Sequence, residues 1–311
     1  MGELLAFLSV IGYTSQLIFI KKGCKDKSES GSIPIQLVVV LSAVIITLII
    51  YMLQIILIQG KTFSHMFMDF TAESFLFIAL DGLLGPMGGA LLLTKATELI
   101  GPSKASVLRG SSPLFAMLLA ALLLQERPGI NGVVGIILLV VGIFLVTWKK
   151  QNTISPTATM ETRQGSRKNF IGSSLALLGG LSFAFSQIAR GMAIQKGASP
   201  EAIVFWGLLV SFFTLYFLHF VTKKHMKFTL GLKMDTMKYY VYAGAGNMMG
   251  SFMLAWSFVY TDVWKAIAIR NLQPIIAILM SWMILKQQEI ITKRLVFGAS
   301  LVLMAIWISM L

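Results

Sequence analysis

The chain has 311 residues, of which 56% are hydrophobic and only 13% are charged, and its formal net charge is +13. Soluble domains carry about twice that fraction of charged residues and cannot bury so much apolar surface, which excludes an ordinary soluble enzyme and a disordered chain. The basic residues are scattered between apolar blocks and form no solvated basic face, so the charge does not indicate nucleic-acid binding. The composition is that of a polytopic membrane protein.

Apolar stretches long enough to cross a bilayer recur along the chain. A membrane-spanning helix needs roughly 20 mainly apolar residues, and no segment shows the alternating pattern of a barrel strand. The sequence therefore predicts an all-α fold of ten transmembrane helices. The predicted spans are 3–20, 34–58, 73–96, 103–124, 130–148, 169–195, 201–221, 238–260, 264–285 and 293–311.

The polar segment 149–168 is predicted to be a linker between two five-span halves, 1–148 and 169–311, which resemble each other. Charged side chains are rare inside membranes, so their recurrence at one fixed spacing indicates an internal repeat. With a shift of 161 residues, the aligned pairs are Gly85 with Gly246, Gly89 with Gly250, Lys104 with Lys265, Arg109 with Arg270, and Pro113 with Pro274. Because five is odd, the second half is predicted to run upside down, as in the inverted repeats of secondary transporters.

The distribution of basic residues predicts an orientation. The connections after spans 1, 5, 7 and 9 contain seventeen Lys and Arg residues, whereas the opposite connections contain three. Loops rich in Lys and Arg stay in the cytoplasm, so both termini are predicted to be extracytoplasmic, the linker cytoplasmic, and the protein multi-pass in the cell membrane. The apolar N-terminus has no basic region before it and is predicted to be a retained span.

Asp81 is the one acidic residue well inside a predicted span. A buried carboxylate of this kind can carry a proton and couple transport to a proton gradient. It can equally serve to neutralise Arg109 or Arg190. Asp81 is therefore a candidate for proton coupling, with a structural ion pair as the alternative.

Arg109 and Arg270 are the strongest candidates for substrate binding. Burying an Arg in lipid costs at least about 2.5 kcal/mol, so each is expected to face a wet cavity or a partner, or to reach the nearer membrane surface. Ser112 and Gln273 follow at the third position, on the same helical face. A guanidinium group is suited to bidentate binding of a carboxylate or phosphate.

Further polar residues inside the spans are candidates for lining the same pathway. Ser186, Gln187 and Arg190 lie in the sixth span, and Asn247 lies in the eighth. Ser186 and Arg190 are four residues apart and share a helical face. These groups either line a cavity or bridge neighbouring helices. Lys104 and Lys265, in the first turns of their helices, are interpreted as extending to the membrane surface.

The motif from Gly101-Pro-Ser-Lys through Arg109-Gly-Ser-Ser-Pro-Leu-Phe to Glu126, with Gly135 and Gly142 after it, resembles the EamA-type drug/metabolite transporter family. A second copy runs from Thr261-Asp-Val-Trp-Lys-Ala through Gln273-Pro-Ile-Ile to Glu289 and Gly298. The resemblance implies ten helices in two inverted repeats and a central cavity lined largely by the third and fourth helices of each repeat. It also implies transport of amino acids, other metabolites or drugs.

The favoured hypothesis is a secondary transporter of a small polar metabolite, an amino acid or organic anion, working by alternating access. The alternatives are an exporter of lipophilic or cationic compounds, for which Trp256, Trp264 and Trp282 provide stacking faces, and a membrane scaffold without transport. No catalytic arrangement, metal cluster or phosphate loop is found in the sequence, so no enzyme activity, metal or cofactor is expected. The expected partners are a small-molecule solute and the lipid bilayer, with a coupling proton and a homodimer left open.

Overall fold

The computed structural model describes residues 1–23, 32–58, 70–100, 108–110, 112–127, 129–147, 161–222, 234–273, 275–276, 280, 301, 304–305 and 308. Regular structure within these residues is helical, and they include no strand. The helices are α1 (Gly2–Gly23), α2 (Ser32–Leu53), α3 (Ala72–Gly82), α4 (Ala90–Ile100), α5 (Ser112–Leu123), α6 (Ile130–Thr147), α7 (Glu161–Gln195), α8 (Pro200–Thr222), α9 (Met234–Tyr260) and α10 (Val263–Arg270). Two wider π-helical segments, Gln54–Ile58 and Leu83–Gly89, follow α2 and α3.

Over the described residues, the first three predicted spans and the fifth to the eighth correspond to helical stretches. The fourth is interrupted by a turn at Gly110 and the ninth by a turn at Asn271 and Leu272, so the prediction of ten helices is confirmed only in part. α3, the π-helical segment and α4 form one continuous helical stretch that corresponds to the third predicted span. Five helices of the described residues are long and apolar enough to cross a membrane, and α5 and α6 supply shorter apolar helices. Many large apolar side chains of these helices are exposed, as expected for surfaces that contact lipid.

Some predictions lie outside the described residues. These are Cys24, Lys104, Pro274, Trp282, Glu289 and Gly298, nearly all of the tenth span at 293–311, most of the ninth beyond residue 276, and segment 149–160. α7 begins at Glu161, so residues 161–168 of the predicted linker 149–168 are helical and continue into the apolar span. The assignment of 149–168 as a linker stays a prediction.

The chain forms two compact units, the first comprising residues 1–87 and 186–289 and the second residues 88–185 and 290–311. The boundaries of the units fall inside helical segments and do not follow the boundaries of the sequence repeats. In the first unit α1 packs against α9 and α10, α2 packs between α9 and α8, and α3 packs against α8. In the second unit α5 packs against α6, and a small core forms around Ala96 and Ala176.

Glycine permits a close contact between α1 and α9 in the first unit. A Cβ atom added at Gly12 of α1 would lie 2.7 Å from the Cα of Gly250 on α9 and 2.9 Å from the carbonyl oxygen of Gly246. A side chain at any of these positions would force the helices apart, and small residues at such spacing are typical of close helix packing in membranes. This contact sets the position of Tyr13, the residue after Gly12, against α9.

Candidate functional site

A buried ion pair joins α3 to α7 in the interior of the first unit. Asp81 on α3 is 1% exposed and Arg190 on α7 is 7% exposed. The Nε and Nη2 atoms of Arg190 donate to Oδ2 of Asp81 at 2.9 and 2.8 Å. Of the two arginines expected to neutralise Asp81, Arg190 is thus a direct partner. Because both charges are removed from water, loss of either one would leave the other uncompensated.

The second carboxylate oxygen of Asp81 is also occupied. Ser186, one turn before Arg190 on α7, donates its hydroxyl to Oδ1 of Asp81 at 2.5 Å. The two α7 side chains reach the same carboxylate because they are four residues apart on one helical face. Asp81 itself lies two residues before the π-helical segment Leu83–Gly89, which contains Pro86. Segments of this kind within α-helices occur frequently at functional sites.

Polar contacts continue from Arg190 to α9 and α1. Nη1 of Arg190 donates to the carbonyl oxygen of Ser251 at 3.4 Å. The hydroxyl groups of Ser251 and Tyr13 are hydrogen-bonded at 3.0 Å. Tyr13 in turn lies beneath Arg270, whose Cζ atom is 4.4 Å from the centre of the Tyr13 ring. The connected residues, named here the polar cluster, are Tyr13, Asp81, Ser186, Arg190, Ser251 and Arg270.

Arg270 occupies a special position in the polar cluster. It is the last residue of α10, and a turn at Asn271 and Leu272 follows it. The carbonyl groups at a helix C-terminus favour a positive charge, which accounts for an arginine at this point. Its Nε atom is buried and has no hydrogen-bond partner among the described residues. A buried polar group without a partner costs roughly 1–3 kcal/mol. This guanidinium group is therefore suited to donate a hydrogen bond to a ligand.

The polar cluster carries an excess of positive charge. It contains two guanidinium groups, those of Arg190 and Arg270, and one carboxylate, that of Asp81. Asp81 is bound by Arg190, and the described residues place no acidic group within ion-pair distance of Arg270. The two arginines also repel each other electrostatically. An anionic group beside Arg270 would therefore be attracted by an uncompensated positive charge in a region of low dielectric constant.

Three further residues predicted for the site also belong to the first unit. Asn247 is buried on α9 one turn before Ser251, which places it on the same helical face. Gln187 is buried on α7, and its Oε1 has no hydrogen-bond partner among the described residues. Gln273 is partly buried and helical, just after the turn that follows Arg270. These three residues are thus close in sequence to members of the polar cluster, but no hydrogen bond among the described residues joins their side chains to it.

The remaining two predicted residues, Arg109 and Ser112, belong to the second unit. The Cζ atom of Arg109 lies 4.6 Å from the centre of the Phe183 ring on α7. Ser112 is buried at the start of α5, and a Cβ added at Gly180 of α7 would lie 3.8 Å from its Cβ. Gly110 forms a turn directly after Arg109. Both repeat-related arginines, Arg109 and Arg270, are therefore followed at once by an interruption of their helices.

The repeat seen in the sequence recurs in these side-chain contacts. In the first unit Arg270 lies over Tyr13, and the Tyr13 ring carbon Cγ would be 2.8 Å from a Cβ added at Gly250. In the second unit Arg109 lies over Phe183, whose Cδ2 would be 2.8 Å from a Cβ added at Gly89. The shift of 161 residues aligns the two arginines, Arg109 with Arg270, and the two glycines, Gly89 with Gly250, whereas it does not align Tyr13 with Phe183. The aromatic residues differ, because Phe183 lacks the hydroxyl group with which Tyr13 contacts Ser251.

Sequence reasoning did not select Tyr13 or Glu201. Tyr13 is one of several aromatic residues in apolar spans. Glu201 lies in the first turn of α8, where an acidic side chain is favourable and usually contacts water. It is nevertheless 3% exposed. Tyr13 is recognisable as a site residue only from its place beneath Arg270, which matches the place of Phe183 beneath Arg109. These contacts are known only from the fold.

Comparisons with known proteins agree with this architecture. The sequence profile of the EamA-like transporter family matches residues 1–148 and 170–311. The crystal structure of another protein has a TM-score of 0.74 with this chain at 11% sequence identity, over 99% of this chain and 96% of that one. At this identity the likeness concerns the fold alone. No significant match to a curated protein was found.

Proposed function

We propose that this chain, which belongs to the EamA-like transporter family, is a secondary transporter that moves a small anionic or zwitterionic metabolite across the membrane. Amino acids and organic acids are the favoured solutes. The proposal rests on the Arg270 guanidinium group, which lies over Tyr13. Its buried Nε–H group donates a hydrogen bond to no described residue. A solute carboxylate would supply the missing acceptor and compensate the charge.

The charge of the polar cluster supports an anionic group and opposes a simple cation. A cation entering beside Arg190 and Arg270 would meet two positive charges and only one carboxylate, which Arg190 and Ser186 already bind. The carboxylate of an amino acid or organic acid would instead form charge-assisted hydrogen bonds, which are about twice as strong as neutral ones. The alternative of a transporter for lipophilic cations is therefore the weaker proposal.

The repeated trios support alternating access as the mechanism. Arg109 and Arg270 each lie over an aromatic ring that packs on a glycine. The arginines and the glycines, but not the aromatic residues, stand at positions related by the sequence repeat. In our proposal the repeats 1–148 and 169–311 have opposite orientations in the membrane. Transporters built from such repeats expose a central site to each side in turn. The helix interruptions after Arg109 and Arg270 would be the positions at which the local geometry changes.

A binding screen tests the choice of solute. The purified protein would be heated in the presence of L-glutamate, L-serine, succinate, glucose 6-phosphate or tetraphenylphosphonium, and its unfolding temperature recorded. A solute at about a hundred times its Kd adds about 2.7 kcal/mol to the free energy of unfolding. We expect stabilisation by one or more of the carboxylates. Stabilisation by tetraphenylphosphonium alone would contradict the proposal.

The role of Arg270 is tested with Arg270→Gln, which removes the charge and retains a polar side chain. Loss of charge-assisted hydrogen bonds should cost about 1.5–3 kcal/mol, or roughly ten- to a hundredfold in Kd for the stabilising carboxylate. Lys265→Gln is the matched control, because Lys265 lies on the same helix and pairs with Asp262 at 3.3 Å. Equal affinities of both variants and the wild type would remove Arg270 from the binding site.

The orientation proposed here, with both termini extracytoplasmic, is tested with the single cysteine of the chain, Cys24. Cys24 follows the first span, in a connection that the excess of basic residues assigns to the cytoplasm. A membrane-impermeant maleimide should therefore label Cys24 in opened cells and not in intact cells. Labelling in intact cells at the same rate would reverse the proposed orientation.

A further inference from the structure

Glu201 is a buried carboxylate that belongs neither to the polar cluster nor to the proposed solute site. It lies in the first turn of α8 and is 3% exposed. Its Oε1 atom accepts two hydrogen bonds, from Nε2 of Gln54 at 2.8 Å and from Nε1 of Trp256 at 3.1 Å. Gln54 follows α2 and Trp256 lies near the end of α9. One carboxylate oxygen therefore joins three helices of the first unit.

The other oxygen of Glu201 has a different environment. Within the described part of the chain, no side chain or backbone group donates a hydrogen bond to Oε2, and no cation lies within ion-pair distance of Glu201. Both neighbours at Oε1 are neutral. A buried carboxylate without a positive partner is costly as the charged form, and binding of a proton removes that cost.

We propose that Glu201 is the proton-binding carboxylate that couples solute movement to a proton gradient. The proton would bind at Oε2, while Oε1 keeps its hydrogen bonds to Gln54 and Trp256 in both protonation states. The helix contacts at this site therefore persist when the charge changes. This inference rests on the proposed function in one respect, namely that the chain transports a solute.

Asp81, the candidate that the sequence indicates, is less suited to this task. Both of its oxygens are occupied, Oδ1 by Ser186 and Oδ2 twice by Arg190. Protonation of Asp81 would leave the buried Arg190 guanidinium group without its counter-charge, which is strongly unfavourable. Protonation of Glu201 breaks no ion pair of the described residues.

The Glu201 site is less suited to a metal ion than to a proton. Na⁺ and similar ions require several oxygen ligands, whereas Gln54 and Trp256 present N–H groups to Glu201. The indole nitrogen of Trp256 is a donor only and cannot ligate a metal. The described residues also contain no group of three His, Cys, Asp or Glu side chains that could hold a metal ion.

The other titratable groups near this end of the helices are already engaged. α8 packs against α2, α3 and α9. Tyr51 of α2 is buried against Phe205, Glu73 of α3 pairs with Lys196 at 2.6 Å, and Tyr260 of α9 stacks on Trp256. None of these contacts supplies a charge to Glu201.

The Glu201 site and the polar cluster are joined by one rigid element. α9 carries both Ser251, which bonds Tyr13 and accepts from Arg190, and Trp256, which bonds Glu201. The two residues are about 7.5 Å apart along the helix axis at 1.5 Å per residue. A change at Glu201 can therefore reach the cluster through a shift of α9, which is the physical basis of the coupling we propose.

Chemical labelling of the wild-type protein tests proton binding without reference to any solute. Dicyclohexylcarbodiimide is an apolar reagent that modifies protonated carboxyl groups in apolar surroundings. In proteoliposomes at acidic pH we expect it to modify Glu201, as detected by peptide mass spectrometry, and to leave Asp81 unmodified. Modification of Glu201 should decline as the pH is raised. Modification of Asp81 in place of Glu201 would overturn the proposal.

Transport by Glu201→Gln tests the coupling itself. The Gln side chain keeps an acceptor for Gln54 and Trp256 and cannot change its charge. The probe is radiolabelled L-glutamate or succinate, whichever stabilises the wild-type protein more. We expect Glu201→Gln to lose accumulation driven by a proton gradient and to keep exchange between equal concentrations on both sides. Glu73→Gln is the matched control, since the Glu73 side chain is 61% exposed at the same end of the helices, and should keep both activities.

The outcomes separate the two proposals. Proton-driven accumulation by Glu201→Gln at the wild-type rate, or accumulation driven by Na⁺ and not by protons, overturns the role of Glu201. Absence of exchange in the wild-type protein contradicts the proposed transport of these solutes. In that case, and also if Glu201→Gln fails to fold, the carbodiimide labelling decides whether Glu201 binds a proton.

Discussion

The guanidinium group of Arg270 lies 4.4 Å from the centre of the Tyr13 ring, and the Tyr13 hydroxyl group bonds Ser251 at 3.0 Å. Tyr13 thus supports the arginine with its face while its polar end joins α1 to α9. In the second unit Phe183 lies beneath Arg109 without a hydroxyl group. The repeat is therefore symmetric in its stacking and asymmetric in its polar contacts.

Substitutions of Tyr13 should separate the two contacts. Tyr13→Phe keeps the ring and removes the hydrogen bond to Ser251, which is worth about 1 kcal/mol, so solute affinity should fall about fivefold. Tyr13→Leu also removes the ring beneath Arg270, and a desolvated cation–π contact contributes roughly 2 kcal/mol. Titration calorimetry with the carboxylate found in the binding screen should rank the affinities as wild type, Tyr13→Phe, then Tyr13→Leu.

A matched control is available on the same helix. Phe19 pairs with Tyr242 at 5.4 Å between ring centres, away from the polar cluster in sequence. Phe19→Leu should therefore leave solute affinity unchanged. Wild-type affinity in Tyr13→Leu would show that the Arg270–Tyr13 contact has no part in binding.

Asp81→Asn should destabilise the protein strongly, because it leaves Arg190 buried without a counter-charge. Breaking a buried ion pair on one side typically costs about 3–5 kcal/mol. The double variant Asp81→Asn with Arg190→Gln removes both charges and should recover most of that loss. The measurement is the midpoint of thermal unfolding in detergent for the wild type, both single variants and the double variant.

The exposed pair of Glu73 and Lys196 provides the comparison for this experiment. Their side chains are 61% and 45% exposed, and exposed ion pairs contribute about 0–1 kcal/mol. Glu73→Gln should therefore shift the midpoint little. If the double variant at Asp81 and Arg190 is no more stable than Asp81→Asn alone, the two side chains do not compensate each other.

Gly12→Ala should disrupt the contact between α1 and α9. The new methyl group would lie 2.7 Å from the Cα of Gly250. A side chain can relieve such a contact by changing its rotamer, but the backbone of a helix cannot. Overpacking of this kind costs about 1–3 kcal/mol, which a thermal unfolding midpoint detects. Because Tyr13 is the next residue, solute affinity should fall as well.

Gly129→Ala is the control for this substitution, since nothing lies within 4 Å of a Cβ added there. Substitutions at such sites usually change stability by less than about 0.5 kcal/mol. Equal unfolding midpoints for the Gly12 and Gly129 variants would mean that α1 and α9 are not closely packed.

The helical membrane architecture and the internal repeat could be read from the chain alone. Apolar runs of the length of a bilayer leave few alternatives to helices, and paired arginines in such runs are rare enough to align the two halves. For the same reason Arg109, Arg190, Arg270 and Asp81 stood out as candidates. A charged residue in an apolar span is conspicuous whatever its partner is.

The pairing of these charges could not be derived from their spacing. Asp81 had two arginines as candidate partners, and the structure joins it to Arg190 because α3 and α7 approach each other where Ser186 also lies. Tyr13 and Arg270 are more than two hundred residues apart in the chain and meet because Gly12, Gly246 and Gly250 allow α1 to approach α9. Such contacts depend on helix packing and not on local composition.

Composition and periodicity therefore determine which residues are costly to bury, because the free energy of burial depends only on the type of side chain and on the apolar bilayer. Which charge is compensated depends on long-range packing, which binds Arg190 to Asp81 and leaves the Nε of Arg270 without an acceptor among the described residues. The same applies to Glu201, an ordinary first-turn acid in the sequence that the packing of α2, α8 and α9 makes a buried carboxylate.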